Sequence, residues 1–190
     1  MDLTIMLVSH DAFRRDLRRL EKAAARRHGD DPLTRKRVET GWRIFKTQLH
    51  FHHEGEDRGL WPRMAKGLAG RPQALAVLGE LVSEHNLIDP LLTQFDAAFA
   101  DPQTPADRVE KAVAELATCL EGHLEHEEKE GLPYVQEALA DKEWKAFTAD
   151  QREQLGLTGA AELFPWLLDD ASEENLRRVT SFCRCRCGWP

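Results

Sequence analysis

Apolar residues recur in steps of three and four along four stretches of the chain. Met6, His10, Phe13, Leu17, Leu20 and Ala24 form the first stripe, and Val38, Trp42, Phe45, Leu49, His52 and Glu56 the second. Leu78, Val82, His85, Ile88, Leu92, Phe95 and Phe99 form the third, and Val109, Val113, Leu116, Leu120, His123 and Glu127 the fourth. Such spacing returns side chains to one face of an α-helix, the face that a bundle buries. No stretch alternates strictly in β-branched residues, so no strand is predicted. The pattern predicts an all-α protein, an up-down-up-down four-helix bundle over 1–140, because short connections favour antiparallel neighbours.

Punctuation separates the stripes. HGDDP (28–32), GLAGRP (67–72) and DPQTP (101–105) read as connections. Pro62 is expected to end the second helix and Pro133 the fourth, since proline lacks an amide hydrogen and disfavours helix in the residue before it. Pro90 falls inside the third stripe and predicts a kink, because the period continues to Phe99. Residues 141–190 predict an extension packed on the bundle, with short helices near 143–147, 159–168 and 172–182. Ser172, followed by Glu173 and Glu174, reads as a helix start.

The two halves repeat. His52, Glu56 and Pro62 recur 71 positions later as His123, Glu127 and Pro133. Glu54 and Glu125 obey the same shift, and Asp57/Glu128 and Arg58/Lys129 obey it conservatively. His10 and His85 stand 75 apart. Duplication of a helix pair accounts for this.

Six residues do not belong on buried stripes: His10, His52, Glu56, His85, His123 and Glu127. A buried, unpaired carboxylate costs several kcal/mol, and a second one nearby costs more. A bound cation removes that objection. His-x-x-x-Glu sets imidazole and carboxylate one helical turn apart on one face, within reach of a common centre. At 1.5 Å per residue His52 and His123 lie about 14 Å from the ends expected at Trp61 and Leu132, and His10 about 12 Å from its helix start. Antiparallel packing then brings the histidines to one depth, at one end of the bundle. Six ligands exceed one tetrahedral zinc and suit two metal ions bridged by Glu56 and Glu127, with two histidines on each. Spacing does not fix which histidines pair. Imidazole mixed with carboxylate points to iron, with manganese as the rival.

This pattern, His10, His52-x-x-x-Glu56, His85 and His123-x-x-x-Glu127, resembles the hemerythrin-like family, the HHE cation-binding domains. The resemblance spans about residues 1–140 and implies a bundle holding a non-haem diiron centre that reacts with O2 or related small molecules. Oxygen carriers of that family bring two histidines, spaced by four, from the third helix; here Asp89 stands four after His85. The set therefore resembles the four-histidine, two-glutamate members, such as iron-sensing domains, more than the carriers. Ferritin-like bundles, the other diiron class, use Glu-x-x-His pairs that do not repeat here.

The remaining candidates read more plainly. His28, His50, His53 and His126 fall off the stripes and are expected in solvent, with His53 and His126 kept as substitute or outer ligands. Asp57 and Glu128 point about 100° from the bridging glutamates in an ideal helix and read as surface charges, able at most to orient an imidazole. Trp42, Trp61, Phe95 and Tyr134 read as core. Cys183, Cys185 and Cys187, interleaved with arginines, match no zinc spacing and give a terminal tail rather than a disulfide framework.

Composition adds exclusions. The net charge of −7 argues against a nucleic-acid partner, which needs a basic stripe. No apolar run reaches membrane-spanning length, and MDLTIMLVSHD has neither the basic flank nor the cleavage site of a signal peptide. A cytoplasmic protein is expected, with O2, peroxide or nitric oxide as partner. Catalase-like activity is one expectation; an iron- or oxygen-sensing interaction module and an iron store are the alternatives.

Overall fold

The computed structural model describes residues 1–26 and 31–186, of which 183–186 are described as backbone alone. His28 and the side chains of Cys183, Cys185 and Cys187 lie outside the described residues. Every described element is helical. α1 (Thr4–Arg26) is followed by α2 (Pro32–Gly55), a π-helical turn (Glu56–Leu60) and α3 (Trp61–Gly67). α4 (Pro72–Ala100) and α5 (Ala106–His126) come next, then a second π-helical turn (Glu127–Gly131), a 3-10 turn (Leu132–Tyr134) and α6 (Val135–Ala138). α7 (Asp141–Leu168) and α8 (Glu173–Arg186) complete the order. None of these helices is long and apolar enough to cross a membrane.

Local chemistry sets several boundaries. Asp31 caps α2 by accepting the amide hydrogens of Leu33 at 2.8 Å and Thr34 at 3.1 Å, and Pro32 occupies the first turn, where no amide is needed. Glu143 accepts the Ala140 amide at 2.8 Å at the start of α7. Within α7 the backbone bends at Gly156, whose φ of 60° lies in the left-handed region that favours glycine. The expected helices near 143–147 and 159–168 are thus two arms of one bent element. α4 runs through Pro90 without ending.

Pro62 and Pro133 do not end their helices, contrary to expectation. Each follows a π-helical turn, in which the ladder has already shifted by one residue. The Trp61 amide bonds the Glu56 carbonyl, and the Leu132 amide bonds the Glu127 carbonyl, both five residues back. The regular ladder is broken there already, so a missing proline amide costs little, and helix resumes as far as Gly67 and Ala138.

Those continuations change where the core lies. One apolar cluster contains Phe13, Leu17, Trp42, Phe45, Leu49, Ile88, Phe95, Leu116 and Leu120. A second contains Leu60, Trp61, Met64, Leu78, Leu81, Leu132, Val135, Trp144 and Phe147. α1 and α4 pass from the second cluster to the first, with Leu7 before Phe13 and Leu81 before Ile88; α2 and α5 lie against the first, and the segments that follow them, from Leu60 and from Leu132, enter the second. The six polar stripe residues fall between the clusters, rather than at one end. Trp42, Trp61 and Phe95 are buried core residues and Tyr134 packs at the edge of the second cluster.

The C-terminal helices close both clusters. Trp166 and Leu167 of α7 and Val179 of α8 join the first; Trp144 and Phe147 join the second. A buried polar clamp fastens α7 to α1: Trp166 Nε1 donates to Asp16 at 2.7 Å, and Arg15 donates to Asp16 at 2.8 Å and to the Trp166 carbonyl at 2.9 Å. Arg15 also donates to the Asp169 carbonyl, so it satisfies acceptors left over at the α7 terminus.

Close backbone contact between α3 and α6 makes one glycine indispensable. A Cβ at Gly67 would run into the Ala138 carbonyl, whereas one at exposed Gly41, inside α2, would meet nothing within 4 Å. Gly67→Ala is expected to lower stability by about 1–3 kcal/mol. Gly41→Ala should raise it by about 0.5–1 kcal/mol through helix propensity. Denaturant unfolding of both variants checks the pair; equal effects would mean that α3 and α6 do not touch there.

Candidate metal centre

His52 and Glu56 stand one turn apart at the end of α2, and His123 and Glu127 repeat that arrangement at the end of α5. Each glutamate opens a π-helical turn, a feature that re-aims side chains and is frequent at functional sites. α1 contributes His10 and α4 contributes His85. All six side chains meet in the layer between the apolar clusters, with His10 and Glu127 fully buried and Glu56 only 1% exposed.

The imidazoles face one another in pairs. His10 Nε2 and His52 Nε2 are 3.1 Å apart, and His85 Nε2 and His123 Nε2 are 3.2 Å apart. Two nitrogens bound to one metal at about 2.1 Å and a right angle would stand about 3 Å apart, so both pairs match adjacent ligands of one ion. Glu56 reaches both pairs, with Oε1 3.1 Å from His52 Nε2 and Oε2 3.5 Å from His85 Nε2. Glu127 Oε2 lies 3.3 Å from His10 Nε2 and 3.9 Å from His123 Nε2. None of these approaches is aligned as a hydrogen bond: all four oxygens of Glu56 and Glu127 are buried without a hydrogen-bond partner. Leaving them so would cost several kcal/mol, and a cation at this point supplies what they lack.

Carboxylates hold the outer faces of three rings. His10 Nδ1 donates to Glu128 at 2.8 Å, His85 Nδ1 to Asp57 at 2.9 Å and His123 Nδ1 to Glu84 at 2.8 Å. A proton fixed on Nδ1 leaves the Nε2 lone pair aimed into the centre, the tautomer that a metal needs. Asp57 and Glu128 are therefore not simply surface charges. Each directly follows one of the two buried glutamates and reaches a histidine on another helix. Arg14 anchors Glu128 through two bonds of 2.7 and 3.1 Å.

Electrostatics shows how unfavourable this cluster is without a cation. Burial, followed by Glu127 and Asp57, holds the Glu56 carboxyl well above its usual range. Burial, then the neighbouring imidazoles, holds His52 and His53 well below theirs. Burial also opposes charge on His10, yet Glu127 and Glu128 outweigh it and raise this imidazole to about 9. Burial would raise Glu128, but His10 and Arg14 bring it down to about 2. Protons take the place of cations in such a cluster, and a divalent ion would displace them.

Two histidines stand elsewhere than the sequence suggests. His53 is not in solvent: it is 7% exposed, stacks on His85 with centroids 4.0 Å apart, and its Nε2 is buried without a partner. Ring nitrogens of His53, His85 and His123 lie within 4.8 Å of one another, as do ligand atoms of His10, His52, Glu56 and Glu127. His126 also leaves solvent and donates to Glu84 at 2.7 Å, behind His123. Glu84 itself gave no sequence signal beyond its place next to His85. His50 is exposed, as expected, and Asp89 lies on the surface.

The arrangement defines a class: a helical protein with a buried histidine–carboxylate centre fitted to cations. Within that class the chain belongs to the hemerythrin HHE cation-binding domain family, whose model matches residues 1–135. No curated protein and no solved structure matches the chain.

Glu84 ties together His123 and His126, so its removal tests the outer hydrogen bonds. Glu84→Ala is expected to weaken cation binding by about 10–100-fold. Glu125→Ala, at an exposed residue paired with Lys129, should leave it unchanged. Competition for Fe2+ against a chromophoric chelator reads both, and equal affinities would show that Glu84 does not support the site.

Proposed function

We propose that this chain is a hemerythrin-like non-haem diiron protein that binds or processes O2, peroxide or nitric oxide. Its first 140 residues form an up-down-up-down four-helix bundle, and 141–190 form a helical extension. The alternating order of the two apolar clusters along α1, α2 with its continuation, α4, and α5 with its continuation supports that topology. His10 and His52 hold one ion, His85 and His123 the other, and Glu56 and Glu127 lie between them.

Four buried, unpartnered carboxylate oxygens facing two pairs of imidazole nitrogens carry this reading. Mixed imidazole and carboxylate donors favour iron, with manganese the rival. Iron held there supplies redox chemistry toward small ligands. The chain's own residues set access and orientation. Phe13 presents its ring to His52 at 5.3 Å, and the apolar clusters above and below limit water. A hollow of about 730 Å3 between α1, α2 and α7 is lined by Trp42, Phe45 and Trp166 but by none of the six centre residues. Walls of this kind favour a ligand of two heavy atoms, such as O2, peroxide or nitric oxide, over a larger substrate. Asp57, Glu84 and Glu128 keep their protons on the outer nitrogens, so the inner ones stay available.

Anaerobic loading is expected to yield close to two irons per chain, and Glu56→Ala or Glu127→Ala should lose both together. A saturated protein holding a single zinc would overturn the diiron reading. Peroxide is the substrate to assay, because a pair of irons can exchange two electrons with it; two molecules yield one O2 and two waters. Iron-loaded protein should release O2 from peroxide, and His52→Ala and His123→Ala should not. Activity equal to that of these variants would move the assignment to sensing or storage.

A further inference from the structure

The hollow between α1, α2 and α7 is lined by none of the six centre residues, so the metal chemistry leaves it unused. Its volume of about 730 Å3 falls in the range of small-molecule sites. Trp42 and Phe45 of α2 and Trp166 of α7 give it an aromatic wall. Carboxylates fix both indoles: Trp166 Nε1 donates to Asp16 at 2.7 Å and Trp42 Nε1 to Asp96 at 2.6 Å. Trp42 also stacks on Phe45, with centroids 5.3 Å apart and 21° between the planes. The wall is held in place before anything enters, so binding needs little further ordering.

Gly41 stands in that wall. Glycine weakens a helix interior, and this one, inside α2, serves no purpose in the fold. Its φ is not positive, and a Cβ would meet nothing within 4 Å. The absent side chain keeps one side of the hollow open, one helical turn from Phe45 on the same face.

Charge along the rim selects the occupant. Three carboxylates line the hollow, and an arginine already engages each: Arg15 holds Asp16 at 2.8 Å, Arg19 holds Asp169 at 2.5 Å and Arg43 holds Glu162 at 2.7 Å. Arg37 also lines the hollow and, among the described residues, makes no hydrogen bond or salt bridge. Asp31 attracts it from the cap of α2, but the Leu33 and Thr34 amides hold that carboxylate. The charge left to offer a ligand is therefore positive.

We propose that this hollow binds a small planar aromatic molecule bearing one carboxylate, with its ring against Trp42, Phe45 and Trp166 and its carboxylate on Arg37. Aromatic walls favour a flat ring through offset and edge-on contacts, and the planar guanidinium matches a carboxylate. This occupant is not the ligand of the metal centre. Phe13 stands between the two sites, with its ring 5.0 Å from Trp166 and 5.3 Å from His52. The site is independent of how many cations the centre holds.

Calorimetric titration of the full-length, cation-loaded protein with β-naphthoate tests this. One equivalent should bind, and β-naphthylmethanol, which keeps the ring without the charge, should bind about tenfold more weakly. Arg37→Gln should weaken the acid by a similar factor and leave the alcohol unchanged. Gly41→Phe fills the hollow and should abolish binding of both, whereas Gly41→Ala is too small to do so and should retain it. Thermal melting confirms that variants at these two exposed positions fold. No uptake by the wild type, or wild-type affinity in Gly41→Phe, would overturn the site. Equal binding of acid and alcohol would overturn the role of Arg37. Self-association of the free protein that Gly41→Phe abolishes would put a second copy of the chain in the hollow and overturn the small-molecule assignment.

Discussion

Two carboxylates, Glu56 and Glu127, sit at the middle of an otherwise apolar interior with no hydrogen bond to any of their oxygens. Everything around them follows from that constraint. Apolar clusters on both sides exclude the water that would solvate them, and imidazoles from α1, α2, α4 and α5 surround them. A core arranged in this way is unfavourable as a set of neutral or charged side chains and becomes favourable around cations. The hydrophobic effect thus assembles the helices, while the polar layer sets which ligand completes them.

The two π-helical turns are the local device that makes the layer work. Each begins at a centre glutamate and shifts the ladder by one residue. Each is followed by a proline that a regular helix would tolerate poorly, and each turns the next acid toward a histidine of another helix. Glu128 reaches His10 and Asp57 reaches His85 by this route. Even an ideal helix carries both acids about 100° from the glutamates, which leaves them free to meet the outer nitrogens of histidines on neighbouring helices.

The helices and the six polar stripe residues were legible because burial in a bundle imposes a period of 3.6 residues. Pro62 and Pro133 misled because a proline signals helix termination only where the regular ladder is intact, and a π-turn has no composition signature. His53 misled for a geometric reason. A helix packed between two others faces two neighbours, so its buried arc exceeds one narrow stripe. On α2, His52 faces His10 of α1, while His53, one position on, faces His85 of α4. A single stripe captures the first and assigns the second to solvent. Glu84 and the clamp of Arg15 and Asp16 on Trp166 escaped for a related reason: charged residues beside a stripe look alike whether they meet water or a distant helix.

Three departures from the internal repeat add polar groups to one half of the centre. His53 stands where its counterpart is Leu124, and His126 where its counterpart is Gly55. By the shift that relates His10 to His85, Glu84 corresponds to Ser9, whose hydroxyl merely bonds the Ile5 carbonyl in its own helix. His123 is therefore braced by Glu84, which also holds His126, whereas His52 has the ring of Phe13 for a neighbour. The repeat places Glu56 and Glu127 alike, and repetition alone would make the two sides of the layer equal. The added polar groups brace one side of the layer, while His52 on the other packs on an aromatic ring. The two sides of this layer differ through a few substitutions against the repeat, set within helices that the repeat keeps similar.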